Sequence, residues 1–138
     1  MTTEEIQQQI IEEFSMFDDW MDKYQYIIEM GKELDGLNES EKKDEFLVRG
    51  CQSNVWVIPE YKEGKLYFKA DSDAFISKGI IALLLKVLNG RTPNEILNAN
   101  LHFIKEIGLE EHLSMNRANG LNGMIEKIME YAKAYQNQ

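Results

Sequence analysis

Asn54-Val55-Trp56-Val57-Ile58, Lys62-Glu63-Gly64-Lys65 and Leu66-Tyr67-Phe68-Lys69-Ala70 follow one another along the chain, and their reading decides the fold. The first and third pieces are rich in β-branched and aromatic residues, which marks them as strands. The second is a turn, so the two strands pair antiparallel. Upstream, Phe46 and Val48 alternate with Leu47 and Arg49 in the same strand-like way. The sheet is therefore expected to hold two or three strands. Downstream, Asp71-Ser72-Asp73 reads as a helix start, because acidic residues suit the positive N-terminal end. That helix is expected to run to residue 87 or 88 and to end at Asn89-Gly90, a C-cap signal. Apolar residues from Ala74, Phe75 and Ile76 to Val87 and Leu88 cover most of its circumference, so it belongs at the centre of the core.

The flanking sequence is helical. Ile6, Ile10, Phe14 and Phe17 mark one face of a first helix, and Thr2 with Glu5 fits a capping box. Asp18 or Asp19 can cap a second helix through about residue 33, with Trp20, Tyr24, Ile27 and Ile28 on one face. Gly36 breaks it, and the charge-dense residues 37–44 read as an exposed loop or short turn. Thr92-Pro93-Asn94-Glu95 is a strong start for a short helix that stops near residue 98. Residues 101–107 read as another short helix closed by Gly108, and the last helix begins after Ser114. The expected fold class is α+β, a small antiparallel sheet packed against several helices, in one domain over residues 1–138.

Composition narrows the function. The chain has 138 residues, with 15 Lys+Arg against 24 Asp+Glu, a net charge of -9. Phosphate backbones attract positive patches, so a nucleic-acid reader is not expected. An acidic surface is equally unsuited to an anionic membrane. The longest apolar run, residues 80–85, falls far short of the roughly 20 residues that span a bilayer. The N-terminal residues lack the basic and apolar regions of a secretory signal, and a single cysteine cannot form an internal disulfide. A cytoplasmic location is expected.

Cys51 is the only thiol. Most lone cysteines are small buried hydrophobes. Here, though, Arg49 and Gly50 precede it and Gln52, Ser53 and Asn54 follow, which reads as a loop entering a strand. Gly50 permits backbone angles closed to other residues, and Arg49 is a nearby positive charge that could favour thiolate. The residues themselves leave both a structural and a reactive thiol open. His102 or His112 could serve as base for a thiol hydrolase, but no nucleophile elbow accompanies Cys51. No metal site is expected, since neither a Cys-x-x-Cys nor a His-x-x-x-His spacing is present. Phosphate-binding glycine loops are lacking too.

Gly50-Cys51-Gln52-Ser53-Asn54-Val55-Trp56 resembles the signature of the SufE/CsdE family of sulfur acceptors. Residues 22–31 resemble that family's early helix. Asp71-Ser72-Asp73-Ala74 with Lys78-Gly79 resembles the start of its central helix. Leu113-Ser114-Met115-Asn116-Arg117 with Gly120-Leu121 resembles the start of its last. The similarity runs from about residue 14 to residue 128. It implies a fold similar to that of U-type iron–sulfur scaffold proteins. It also implies a carrier and activator rather than a classical enzyme. Such a protein takes a persulfide sulfur from a cysteine desulfurase of the SufS or CsdA type and stimulates that enzyme. It then passes the sulfur to an iron–sulfur cluster scaffold. Cys51 matches the acceptor position.

Elementary chemistry agrees with that implication. Transfer between sulfurs needs an attacking thiolate and neither metal nor cofactor in the acceptor. A cluster scaffold needs several thiolates, and this chain has one. Two sulfurs must meet, so the partner must cover the surroundings of Cys51. Arg49, Gly50, Gln52 and Ser53, with the motif residues Asp73, Lys78 and Arg117, are the expected partner-binding or loop-supporting residues. A non-catalytic interaction module with a structural cysteine is the alternative.

Overall fold

The computed structural model describes residues 1–137. It is an α+β fold, with seven helices and a two-stranded antiparallel sheet among the described residues. Strand β1 (Val55–Lys62) pairs with β2 (Lys65–Ser72) in a register running from Val55 opposite Ser72 to Lys62 opposite Lys65. Glu63 and Gly64 both have positive φ, at 53° and 81°, the geometry of a two-residue hairpin turn whose twist matches the strands. Leu66, Phe68 and Ala70 alternate inward along β2.

Helix α1 (Thr3–Ser15) opens with the expected capping box, and Asp19 caps α2 (Trp20–Lys32). Helix α3 (Phe75–Leu88) is the centre of the core: Ile81, Val87 and Leu88 have no exposed surface, and Ile80, Leu83 and Leu84 next to none. Truncating any one to alanine would cost about 2–5 kcal/mol, from lost burial plus the cavity left behind. Glycines bring α2 and α3 together. A β-carbon on Gly79 would stand 2.2 Å from the Ile27 carbonyl oxygen, and one on Gly31 2.6 Å from the Gly79 nitrogen. Helix α4 (Pro93–Asn98) has the expected Thr92–Glu95 capping box, and α7 (Met115–Tyr135) starts at the Ser114 cap. Tyr131 of α7 donates to the Val57 carbonyl at 2.8 Å, which ties this last helix to the sheet.

Several local expectations need correction. Residues 46–49 form no strand. A 3-10 turn (Asp44–Phe46) leads into a single bridge between Leu47 and Trp56, because the chain meets β1 too briefly to build a ladder. The acidic Asp71-Ser72-Asp73 run does not start the central helix. Strand β2 continues through Ser72, and α3 begins after Ala74 with no side-chain cap. Phe75, counted among the buried apolar residues, is 73% exposed, whereas Ile76 and Ser77 of the same turn face inward. The helix expected over residues 101–107 is only α5 (Phe103–Glu106). Gly108, at φ 77°, redirects the chain into a further turn, α6 (Leu109–His112).

Candidate functional site

Cys51 lies in a loop, residues 49–54, between the Leu47–Trp56 bridge and β1, and this loop rests on α7. Two glycines one helical turn apart make that contact possible. A β-carbon on Gly123 would stand 1.9 Å from the Arg49 carbonyl oxygen, and one on Gly120 3.0 Å from the Cys51 sulfur. Gly50 turns the chain between them at φ 88°, a left-handed conformation that glycine adopts without strain. The Cys51 thiol is half-buried and lies 3.7 Å from the Gly120 carbonyl oxygen, a weak S–H···O contact.

The sulfur opens on a cavity of about 130 Å³. Its walls come from the N-terminal halves of two helices: Ser77 and Ile80 of α3, and Asn116, Arg117 and Met124 of α7. One hydration water needs only about 10–15 Å³, so the space admits another atom on the sulfur. Burial pushes the Cys51 thiol above its ordinary range. Arg49 does not counter this. It is exposed and faces a separate groove with Glu126 and Glu130, because its backbone is pinned against Gly123.

The other expected residues divide. Ser53 and Gln52 line the cavity with Cys51. Asp73 holds the far end of the loop: its carboxylate accepts from the Asn54 backbone N–H and side-chain amide, both at 3.0 Å, and its own N–H donates to the Asn54 carbonyl at 3.2 Å. Ser72 adds a hydroxyl donor to the same carbonyl at 2.8 Å. Lys78 does not face the cavity but pairs with Asp71 at 3.3 Å. Asp71 is 8% exposed. Its burial opposes the charge, but the Leu37 and Ser72 N–H groups and the Lys78 ammonium outweigh it and hold the carboxyl below its usual range. Arg117 is exposed at the cavity, with its guanidinium 5.7 Å above the Tyr24 ring centroid.

Neither histidine approaches the thiol. His102 bridges Glu4 and Glu106, and His112 stacks on Trp20 with ring centroids 4.2 Å apart. The hydrolase expectation has no base at Cys51 and is dropped. Sequence reading missed Ser77, Ile80, Asn116 and Met124, which reach the cavity across the fold. The Gly120 and Gly123 pair on one helix face was the available signal, since glycine inside a helix marks a close approach.

A lone thiol on a glycine-supported loop, opening on a cavity between the N-terminal halves of two helices, is the candidate site of this α+β domain. A family model described as "SufE: Fe-S metabolism associated domain" matches residues 8–132. An uncharacterized SufE-like protein of Rhizobium meliloti is 39% identical over 130 residues, covering 91% of this chain and 93% of its own. One from Rhizobium etli is 39% identical over the same share of this chain and 88% of its own. The chain belongs to the SufE family, and its role lies in iron–sulfur metabolism. The fold is also that of a hypothetical protein from Thermus thermophilus, solved in solution. The two superpose with a TM-score of 0.78 over 96% of this chain and 97% of the other, at 20% identity. Among the described residues, no helix is long and apolar enough to cross a membrane.

Proposed function

We propose that Cys51 accepts the terminal sulfur of a persulfide carried by a cysteine desulfurase. The protein holds it as its own persulfide and passes it on to iron–sulfur cluster assembly. One observation carries this reading: the only cysteine of the chain opens on a cavity with room for one more sulfur atom.

The chemistry balances without a cofactor. The Cys51 thiolate attacks the outer sulfur of the donor persulfide. A new S–S bond forms at Cys51, and the donor's S–S bond breaks. The electron pair of the broken bond leaves on the donor cysteine as thiolate, so no oxidant or reductant is needed. Freed of its persulfide, the desulfurase can take its next substrate, which is how the acceptor stimulates it.

In the resting state the raised pKa keeps the thiol protonated and slow towards oxidants and small thiols. At the cavity, the uncapped first turn of α3 and the Arg117 guanidinium offer positive potential to a persulfide anion. Ile80 and Met124 give the outer sulfur an apolar wall. Arg117 also stands where a docking partner must pass to reach the thiol.

Mass spectrometry after incubation with a desulfurase, cysteine and pyridoxal phosphate tests the reading. The expected result is a gain of one sulfur atom on the wild type and none on Cys51→Ser. Sulfur retained by the folded Cys51→Ser variant would overturn it. A folded wild type that resists both sulfur transfer and alkylation would make Cys51 a structural residue.

A further inference from the structure

The Cys51 loop is fixed at both ends and nearly free between them. Upstream, the Val48 N–H donates to the Val55 carbonyl at 2.8 Å, and the Arg49 carbonyl is seated on Gly123. Downstream, Asp73 and Ser72 hold Asn54 through the four bonds described above. Apart from the turn at residues 49–50, residues 50–53 make no backbone–backbone hydrogen bond of ordinary geometry to any described residue. Besides the packing of Cys51 against the core, two side-chain hydrogen bonds hold them down. One is the weak approach of the Cys51 sulfur to the Gly120 carbonyl. The other is a hydroxyl–hydroxyl bond of 2.8 Å between Ser53 and Ser77. Ser77 is 9% exposed and belongs to α3, the most rigidly packed element of the fold.

We propose that the Ser53–Ser77 hydrogen bond is the latch of the Cys51 loop, and that breaking it exposes the sulfur for attack. Each hydroxyl serves the other across the mouth of the cavity. Gly50, at φ 88°, is the hinge on one side and Asn54 the fixed point on the other. With the latch closed, the sulfur faces α7. With it open, the sulfur swings out, loses the burial that keeps it protonated, and meets a partner thiol or a small reagent. Ser77 is thus a positioning residue that acts on Cys51 through Ser53.

Alkylation kinetics test the latch without any sulfur transfer. Iodoacetamide would be added to the folded wild type, Ser53→Ala, Ser77→Ala and the double variant, with each urea-unfolded chain giving the intrinsic rate. One net hydrogen bond corresponds to roughly a two- to tenfold gain in the open state, so each single variant should react faster by that factor. Because the two hydroxyls serve one another, the double variant should react no faster than the faster single one. Matching thermal unfolding midpoints would show that α3 is intact. Unchanged rates in both single variants, or effects that multiply in the double variant, would overturn the latch. Faster loss of a loaded persulfide to glutathione in Ser77→Ala is a further expected result. That part rests on the proposed carrier role, whereas the alkylation rates do not, so the two readings fail separately.

Discussion

A β-carbon on Gly120 would stand 3.0 Å from the sulfur of Cys51, closer than side chains ordinarily tolerate. Gly120 lies within α7, where alanine is favoured over glycine by about 1 kcal/mol. The substitution Gly120→Ala therefore sets a helix gain against a contact that must give way. What gives is the Cys51 loop, because its middle is held by so little. The expected outcome is an unfolding midpoint close to wild type together with faster alkylation of Cys51. Gly123→Ala is the contrast: there the new carbon would lie 1.9 Å from a backbone carbonyl at a fixed loop end. Overpacking of that kind costs roughly 1–3 kcal/mol, so a lowered midpoint is expected. Urea unfolding and alkylation of both variants check the pair.

Burial raises the Cys51 thiol, so its reactivity should follow pH in a defined way. An ordinary cysteine ionises near about 8.5. The alkylation rate of the folded protein should keep climbing with pH beyond that point. That of the urea-unfolded chain should level off around it. A folded-state curve that levels off below the unfolded one would mean that a positive group lowers the thiol after all, with Arg117 the nearest candidate at the cavity. The same shift makes the closed fold lose stability as pH rises past about 8.5, because the unfolded chain then sheds a proton that the folded chain retains.

Asp71 and Lys78 form an ion pair of 3.3 Å. The Asp71 carboxyl is depressed in the folded state, so its contribution to stability is present above the unfolded value of about 3.9. That contribution is lost as pH falls through the lower folded value. Asp71→Asn should lower stability by about 1–3 kcal/mol at neutral pH, by weakening hydrogen bonds to a largely buried carboxylate. Below about pH 4 the gap to wild type should narrow. Urea midpoints at the two pH values measure it. A constant gap would mean that packing, not charge, is what the substitution removes.

Much of this was legible in the chain. The hairpin, the two capping boxes, the buried character of α3 and the loop around Cys51 all rest on neighbours close in sequence, which pattern can reach. The surroundings of the thiol rest on contacts across the fold. Asp73 looked like a helix cap because acidic residues usually are at such positions. Its carboxylate instead turns to Asn54, brought beside it by the hairpin register. Arg49 is two residues from Cys51, yet its direction is fixed by Gly123, far along the chain. Lys78 carries a motif position, but a buried carboxylate claims its charge. In each case a local rule gave way to a long-range packing contact.

Arg117 is the residue on which the docking hypothesis can be tested without damaging the fold. Asp73 and Lys78 are both engaged in internal contacts, so reversing either charge disturbs the loop or the ion pair. The Arg117 guanidinium lies over the Tyr24 ring, and the N-terminal turn of α7 is secured by the Ser114 hydroxyl accepting from the Arg117 backbone N–H. Arg117→Glu keeps that backbone bond and reverses the charge at the cavity. Exposed charge contacts are individually weak, about 0.2–1 kcal/mol, so the expected loss in desulfurase stimulation is a few-fold and appears as a shift to higher protein concentration. A reversed lysine in the 39–45 run, Lys43→Glu, is exposed and serves as the control. Alkylation of Cys51 by a neutral reagent should be close to wild type in Lys43→Glu and no faster than wild type in Arg117→Glu, where a negative charge beside the thiol disfavours the thiolate. Titration of desulfurase turnover against each variant decides the matter. Superimposable curves for Arg117→Glu and the control would place the docking surface away from the α7 start and leave Cys51 alone as the point of contact.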